Sequence, residues 1–133
     1  MKKVLILCTG NSCRSIIAEA LINNDLSDCV IAHSSGVAAS GRVNPNAKKV
    51  LEQNNMWSDN YHSKVIEKVL DIEFDLVVTV CSNAQETCPI FPGNTPVIHV
   101  GFDDPDGQDF DAFLQTFDEI RQKLIPIVKN KLC

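Results

Sequence analysis

Residues 3–15 read KVLILCTGNSCRS, an almost unbroken apolar run that ends on Cys8 and passes through Thr9, Gly10, Asn11, Ser12 and Cys13 into Arg14 and Ser15. A short apolar run of this kind, closed by a Gly-Asn turn signal, suits a strand buried on both faces of a parallel sheet. Beyond Ser15 the period changes. Ile16, Ile17, Ala20 and Leu21 fall at helical spacing over residues 15–23, so strand, loop and helix follow one another as the first half of a βαβ unit. Three further strand candidates occupy residues 30–34 (VIAHS), 75–81 (DLVVTVC) and 96–100 (PVIHV). Residues 46–54 repeat the helical pattern with Ala47, Val50 and Leu51. A longer helix carries Phe110, Phe113, Phe117, Ile120, Leu124 and Ile127, with a bend expected near Pro126, which lacks the N–H its turn needs. The order predicts an α/β fold: a four-stranded parallel open sheet flanked by helices, in one domain spanning residues 1–133.

Composition agrees and excludes several classes. With 133 residues, 44% of them hydrophobic and 22% charged, the chain can bury a conventional core without staples or a metal. Acidic residues outnumber basic ones 17 to 12, a net charge of -5, which argues against bulk binding to nucleic acid or an anionic membrane. The apolar run at residues 4–7 is too short for a signal-peptide core or a membrane span, so a cytoplasmic protein is expected. His33, His62 and His99 show no ligand spacing, and no metal site is expected. Six cysteines are many for a reducing compartment and call for a reason.

The loop after the first strand offers one. Where a strand runs into a helix at the carboxyl edge of a parallel sheet, backbone N–H groups converge and can cradle a tetrahedral oxyanion. Cys8 and Arg14 lie six positions apart, so the guanidinium can chelate two oxygens while the sulfur faces the central atom. Gly10 and Asn11 tolerate the positive φ that such a loop demands. Arg14 and the N–H dipoles favour Cys8 as thiolate, the form that attacks, with Ser15 as a hydrogen-bond donor to it. Through its short polar side chain Asn11 is expected to fix the loop more than to touch the substrate. Thr9, Gly10, Asn11, Ser12, Cys13, Arg14 and Ser15 are thus the candidate oxyanion-binding residues.

Through Cys8-x5-Arg14-Ser15 and the Asp104-Pro105 pair far downstream, the chain resembles the low-molecular-weight protein tyrosine phosphatase superfamily over its whole length. The resemblance implies that superfamily's fold and a general acid at Asp104, with Asp103 an adjacent competitor. Two branches must then be separated, phosphatases and thioredoxin-coupled arsenate reductases. Tyrosine phosphatases of this type usually carry an aromatic residue after the Asp-Pro pair, whereas this chain has Asp106-Gly107, which gives a phenyl ring nothing to stack on.

Electron counting separates the branches further. Hydrolysis returns its cysteine unchanged, but taking As(V) to As(III) draws two electrons from thiols and ends in a disulfide. Cys81 closes the third strand candidate and Cys88 follows seven residues later. In a helix those Cα atoms would stand ~10.5 Å apart at ~1.5 Å per residue, beyond the ~7 Å a disulfide tolerates, so bonding them would require the segment to unwind. By resemblance to the thioredoxin-coupled reductases, Cys8 attacks arsenate, Cys81 attacks the Cys8 sulfur and releases arsenite, and Cys88 attacks Cys81. The resulting disulfide is left for thioredoxin. No tightly bound cofactor is implied, and a monomer is expected.

Two other readings remain: a phosphatase that keeps Cys81 and Cys88 for redox protection, and an oxyanion-binding redox sensor. Cys13 is expected to be structural or protective, Cys29 a small core residue and Cys133 a mobile terminal one. Some reductases of the family bind potassium beside the loop. The matching positions are Asn11, Glu19, Ser34 and Lys64, where the lysine ammonium could replace the cation and pair with Glu19. Trp57 and Tyr61 are expected to pack in a surface loop.

Overall fold

A computed structural model describes residues 1–81 and 91–133. Four strands form one parallel sheet: β1 (Lys2–Cys8), β2 (Val30–Gly36), β3 (Leu76–Thr79) and β4 (Val97–His99), in the order β2-β1-β3-β4. Helices α1 (Arg14–Asp25), α2 (Pro45–Gln53) and α3 (Phe110–Leu132) and a 3-10 turn at Ile66–Lys68 complete the described elements. The predicted α/β architecture is therefore the observed one, with β3 and β4 shorter than expected.

Alternation along β1 builds two core layers. Val4, Ile6 and Cys8 join Val78 and Val80 beneath the apolar sides of α1, α2 and α3. Leu5, Leu7 and Val77 face the other way onto Val69 and Phe74. The central strand is wholly buried from Val4 to Leu7, as its unbroken apolar run requires. Helix α1 is buried from Arg14 to Ile22, which explains the absence of a polar face in its sequence.

Helix α3 continues through Pro126. Its fully buried positions near that residue are Leu124 and Val128, while Pro126 itself is exposed. The missing N–H therefore falls on the solvent side of the turn, where the adjoining carbonyl can turn to water. Val128, and not the predicted Ile127, extends the buried stripe of Phe113, Phe117, Ile120 and Leu124.

Two cysteine expectations are corrected here. Cys29 and Cys133 form a disulfide, their Cα atoms 5.7 Å apart, so Cys29 is more than a core filler and Cys133 is anchored. The bond closes the end of α3 onto the entry to β2. A bidentate pair from Arg121 to Asp25, both contacts 2.9 Å, joins α3 to α1 nearby. Trp57 and Tyr61 do pack edge to face, 5.9 Å between centroids, against the main core. Among the described residues, no helix is long and apolar enough to cross a membrane.

Candidate active site

Parallel strands bring their carboxyl ends to one edge, and the loop from Cys8 to Arg14 lies there. Asn11 has the left-handed conformation, φ 49°, that turns the loop back on itself. Gly10 does not, contrary to expectation, and an added Cβ there would meet only Ser12 Oγ at 3.7 Å. The glycine that the loop needs is Gly36, at the end of β2, where a Cβ would stand 2.4 Å from the Thr9 carbonyl oxygen.

Neighbouring chain pulls the carbonyls of this loop outward. Thr9 O accepts from Ala38 N–H (3.0 Å), Gly10 O from Ser40 N–H (2.9 Å) and Ser63 Oγ (3.0 Å), and Ser12 O from Asn44 N–H (3.0 Å). Each peptide is planar and trans, so an outward carbonyl turns the next residue's N–H inward. Asn11 N–H accordingly donates to Cys8 Sγ at 3.2 Å. Cys13 occupies the N-cap of α1 without a capping side-chain bond, which leaves first-turn N–H groups for an anion.

A directed hydrogen-bond chain sits behind the sulfur. Asn11 Nδ2 donates to Ser15 Oγ (2.7 Å) and to Ser34 Oγ (3.0 Å), so both hydroxyls must send their own protons onward. Ser34 donates to Glu19 Oε1 at 2.6 Å, and Ser15 Oγ lies 3.1 Å from Cys8 Sγ, to which it donates when Cys8 is a thiolate. Lys64 N–H holds Asn11 Oδ1 at 2.8 Å. Asn11 is buried and fixes the loop from behind. Burial raises the proton affinity of Glu19, against the opposing pull of Lys64, the Ser34 hydrogen bond and His62. Lys64 Nζ donates to the His62 carbonyl at 3.3 Å and acts on Glu19 through space, in place of the direct pairing expected.

Arg14 is buried at the head of α1. Its Nη1 donates to Phe102 O (3.1 Å) and Val80 O (3.4 Å), and its Nη2 lies 3.5 Å from Asp104 Oδ2. Cys8, residues 9–14, Ser40, Asp104 and Asp106 line a cavity of about 620 Å³. No aromatic side chain is among the described residues that line it. Both Asp103 and Asp104 border a smaller cavity beside Gln108 and Glu119, but of the two only Asp104 also lines the cavity that holds Cys8. Cys13 lines the cavity too, but burial, helped by Asp104, Asp106 and Cys8 and opposed by Ser12, pushes its thiol up to about 12. It stays protonated and is a poor nucleophile.

Cys81 is a fully buried thiol outside the cavity wall. The register pairs Leu7 with Thr79, and Val80 N–H donates to Leu7 O at 3.0 Å, so Val80 lies abreast of Cys8 and Cys81 one residue beyond. Cys88 and the proposed unwinding segment lie outside the described residues. Among the described residues, no group of three or more His, Cys, Asp or Glu could hold a metal.

Sequence reasoning missed the strap of residues 37–44, Gly36 and Ser40. Only Asn44 left a signal, an Asn-Pro pair opening an amphipathic helix, and it does cap α2.

Comparison with known proteins gives a consistent picture. Residues 3–131 match the family model described as low molecular weight phosphotyrosine protein phosphatase. An arsenate reductase of Bacillus cereus (strain 03BB102) is 42% identical over 123 residues, 92% of this chain and 91% of that protein. The crystal structure of an arsenate reductase from Archaeoglobus fulgidus DSM 4304 superposes with a TM-score of 0.84 at 31% identity, covering 95% of this chain and 98% of that one. A low molecular weight protein tyrosine phosphatase from T. tengcongensis shares the fold, with a TM-score of 0.76 at 20% identity and coverage of 98% and 99%.

Proposed function

The chain belongs to the low molecular weight phosphotyrosine protein phosphatase family, and we propose that within it the protein is a thioredoxin-coupled arsenate reductase acting in the cytoplasm as a monomeric domain of residues 1–133. The observation that carries this reading is the register of β1 against β3. A second buried thiol, Cys81, follows the end of β3 by two residues, and extending the Leu7–Thr79 pairing and the Val80 N–H bond to Leu7 O puts it one residue beyond the level of Cys8 at the same edge of the sheet. Hydrolysis has no use for that neighbour. Its likeness to arsenate reductases across nine-tenths of the chain supports the same choice.

In the first step the Cys8 thiolate attacks arsenic. A sulfur–arsenic bond forms, one arsenic–oxygen bond breaks, and the departing oxygen leaves as water with a proton from Asp104. Inward N–H groups and the Arg14 guanidinium hold the remaining oxygens. Cys81 then attacks the Cys8 sulfur, and the sulfur–arsenic pair of electrons stays on arsenic, which departs as arsenite. Cys88 attacks Cys81 and frees Cys8, and thioredoxin reduces the Cys81–Cys88 disulfide by exchange. Two thiols lose two electrons and As(V) gains them. Because Cys81 is buried in the reduced protein, the second step requires it to move toward the cavity.

A coupled assay tests the reading: arsenate-dependent NADPH consumption with thioredoxin and thioredoxin reductase, beside hydrolysis of an aryl phosphate. Cys8→Ser should abolish both, whereas Cys81→Ser should stop reductase turnover and spare any hydrolysis. Steady phosphatase turnover without arsenate reduction would sink the proposal.

A further inference from the structure

Asn44 is the meeting point of three parts of the site. Its N–H donates to Ser12 O at 3.0 Å, its side-chain oxygen caps α2 by accepting from Asn46 N–H at 2.8 Å, and its Nδ2 donates to Asp106 Oδ1 at 2.8 Å. Asp106 returns the connection to Asp104: its own N–H donates to Asp104 Oδ1 at 3.0 Å, which leaves Oδ2 directed at Arg14, 3.5 Å away. Within this segment Asp103, Asp104, Asp106 and Gly107 are exposed and only Pro105 is buried. Its other bonds are local, from Gln108 N–H to Pro105 O and from Gln108 Nε2 to Asp104 O, both 3.0 Å. Besides the ion pair to Arg14 and a 3.9 Å contact from Cys13 Sγ, the bond from Asn44, itself held to Ser12 O, is what ties the segment to the loop of residues 8–14 among the described residues.

A second carboxylate on the wall of an anion cavity is unfavourable for anion binding, so Asp106 calls for a compensating role. We propose that Asn44 and Asp106 form a latch that seats the Asp104 carboxyl over the loop, and that both are positioning residues for the proton transfer. The inference rests on the reading of Asp104 as proton donor. Asn44 is well suited to the task because a single side chain registers the acid-bearing segment against α2 and against the Ser12 peptide at once. A proton donor has to be within hydrogen-bond reach of the departing oxygen, and displacement of about 1 Å is enough to cost much of its effect.

The latch and the bare charge predict opposite signs for Asp106→Ala. Loss of a repelling carboxylate alone would speed the reaction and tighten anion binding. Loss of the latch slows the reaction at saturating arsenate about tenfold, part of the ~10²-fold or more that a general acid contributes, while inorganic phosphate still binds as tightly as before or more so. Asn44→Asp keeps an acceptor to cap α2 but sets two carboxylates against each other, and it should be slow as well. The double variant Asn44→Asp/Asp106→Asn reverses donor and acceptor, rebuilds the bond and should recover to within about threefold of wild type. The measurements are single-turnover loss of thiols with arsenate across pH, and phosphate binding by calorimetry. Asp106→Ala reacting as fast as wild type, or a double variant as slow as Asn44→Asp, would overturn the latch. A wild-type rate for Asp104→Asn would instead overturn the proton-donor reading, and the latch with it.

Discussion

Gly36→Ala offers the most direct test of how the loop is held. An added Cβ would stand 2.4 Å from Thr9 O and 3.1 Å from both Asn11 N and Asn11 Cβ, where ordinary contact begins at 3.4 Å. Loop and strand must therefore separate by 1.0 Å, the difference of those two distances, at Thr9. All the nearest atoms except Asn11 Cβ are backbone, and Gly36 is itself pinned by pairing with Cys8 and by its N–H to Lys64 O. The displacement moves the Asn11 N–H that serves the Cys8 sulfur. A shift of about 1 Å in a reacting geometry costs on the order of 10²-fold, or ~2.7 kcal/mol at ~1.36 kcal/mol per decade, and overpacking should remove ~1–3 kcal/mol of stability. Single-turnover thiol consumption with arsenate reads the first effect and urea unfolding the second. Gly10→Ala, whose Cβ meets nothing nearer than 3.7 Å, should be milder on both. A Gly36→Ala protein that reacts at the wild-type rate would refute the reasoning.

Three other outcomes follow from the structure. Cys133→Ser, or reduction of Cys29–Cys133, removes a crosslink with a sequence separation of 104, worth up to ~4.7 kcal/mol in the chain-entropy model; equal urea midpoints for oxidised wild type and the variant would contradict this. Glu19 has a raised pKa, so as pH rises above 4.5 the unfolded chain ionises there first and the folded state loses stability relative to it. Glu19→Gln should therefore gain on wild type as pH climbs through the raised value and then run parallel, a trend that chemical melts from pH 4 to 8 would detect or deny. Asp104→Asn should slow arsenate reaction far more than Asp103→Asn, because Asp104 and not Asp103 lines the cavity that holds Cys8; the reverse order in stopped-time thiol assays would move the acid by one residue.

Local signals carried much of the fold. The apolar run of β1, the change to helical spacing after Ser15 and the phenylalanine stripe of α3 each depend on residues close in sequence; β1 and α1 formed within a residue or two of their predicted bounds, while α3 starts at Phe110 as expected and runs on through Pro126 to Leu132. Strand ends were harder to place. Asp75 looks like the first residue of β3, yet it clamps Lys3 from outside, its N–H on Lys3 O at 2.8 Å and its carboxylate accepting Lys3 N–H at 2.8 Å. At the other end the Val80 carbonyl serves Arg14 and Phe102 N–H, so the strand stops at Thr79 before Cys81. Contacts between distant segments left almost no trace in the sequence. Nothing in the spacing of Cys29 and Cys133 announces a bond, and the strap that turns the loop carbonyls outward does so through its backbone N–H groups, which every residue but proline carries. Gly36 is one glycine among six until a neighbouring backbone is laid against it.

Turning the carbonyls of Thr9, Gly10 and Ser12 outward has a consequence for selectivity. A cradle of peptide dipoles registers the outline of a tetrahedral oxyanion and says nothing about the atom at its centre. Phosphate should therefore occupy the loop as readily as arsenate, and Cys8 could engage either. Discrimination then falls to the next step, because releasing arsenite asks arsenic to accept an electron pair that phosphorus would strongly resist. The protein would distinguish its substrate by reducibility, after capture, and a cell rich in phosphate would slow it by competition without diverting its electrons.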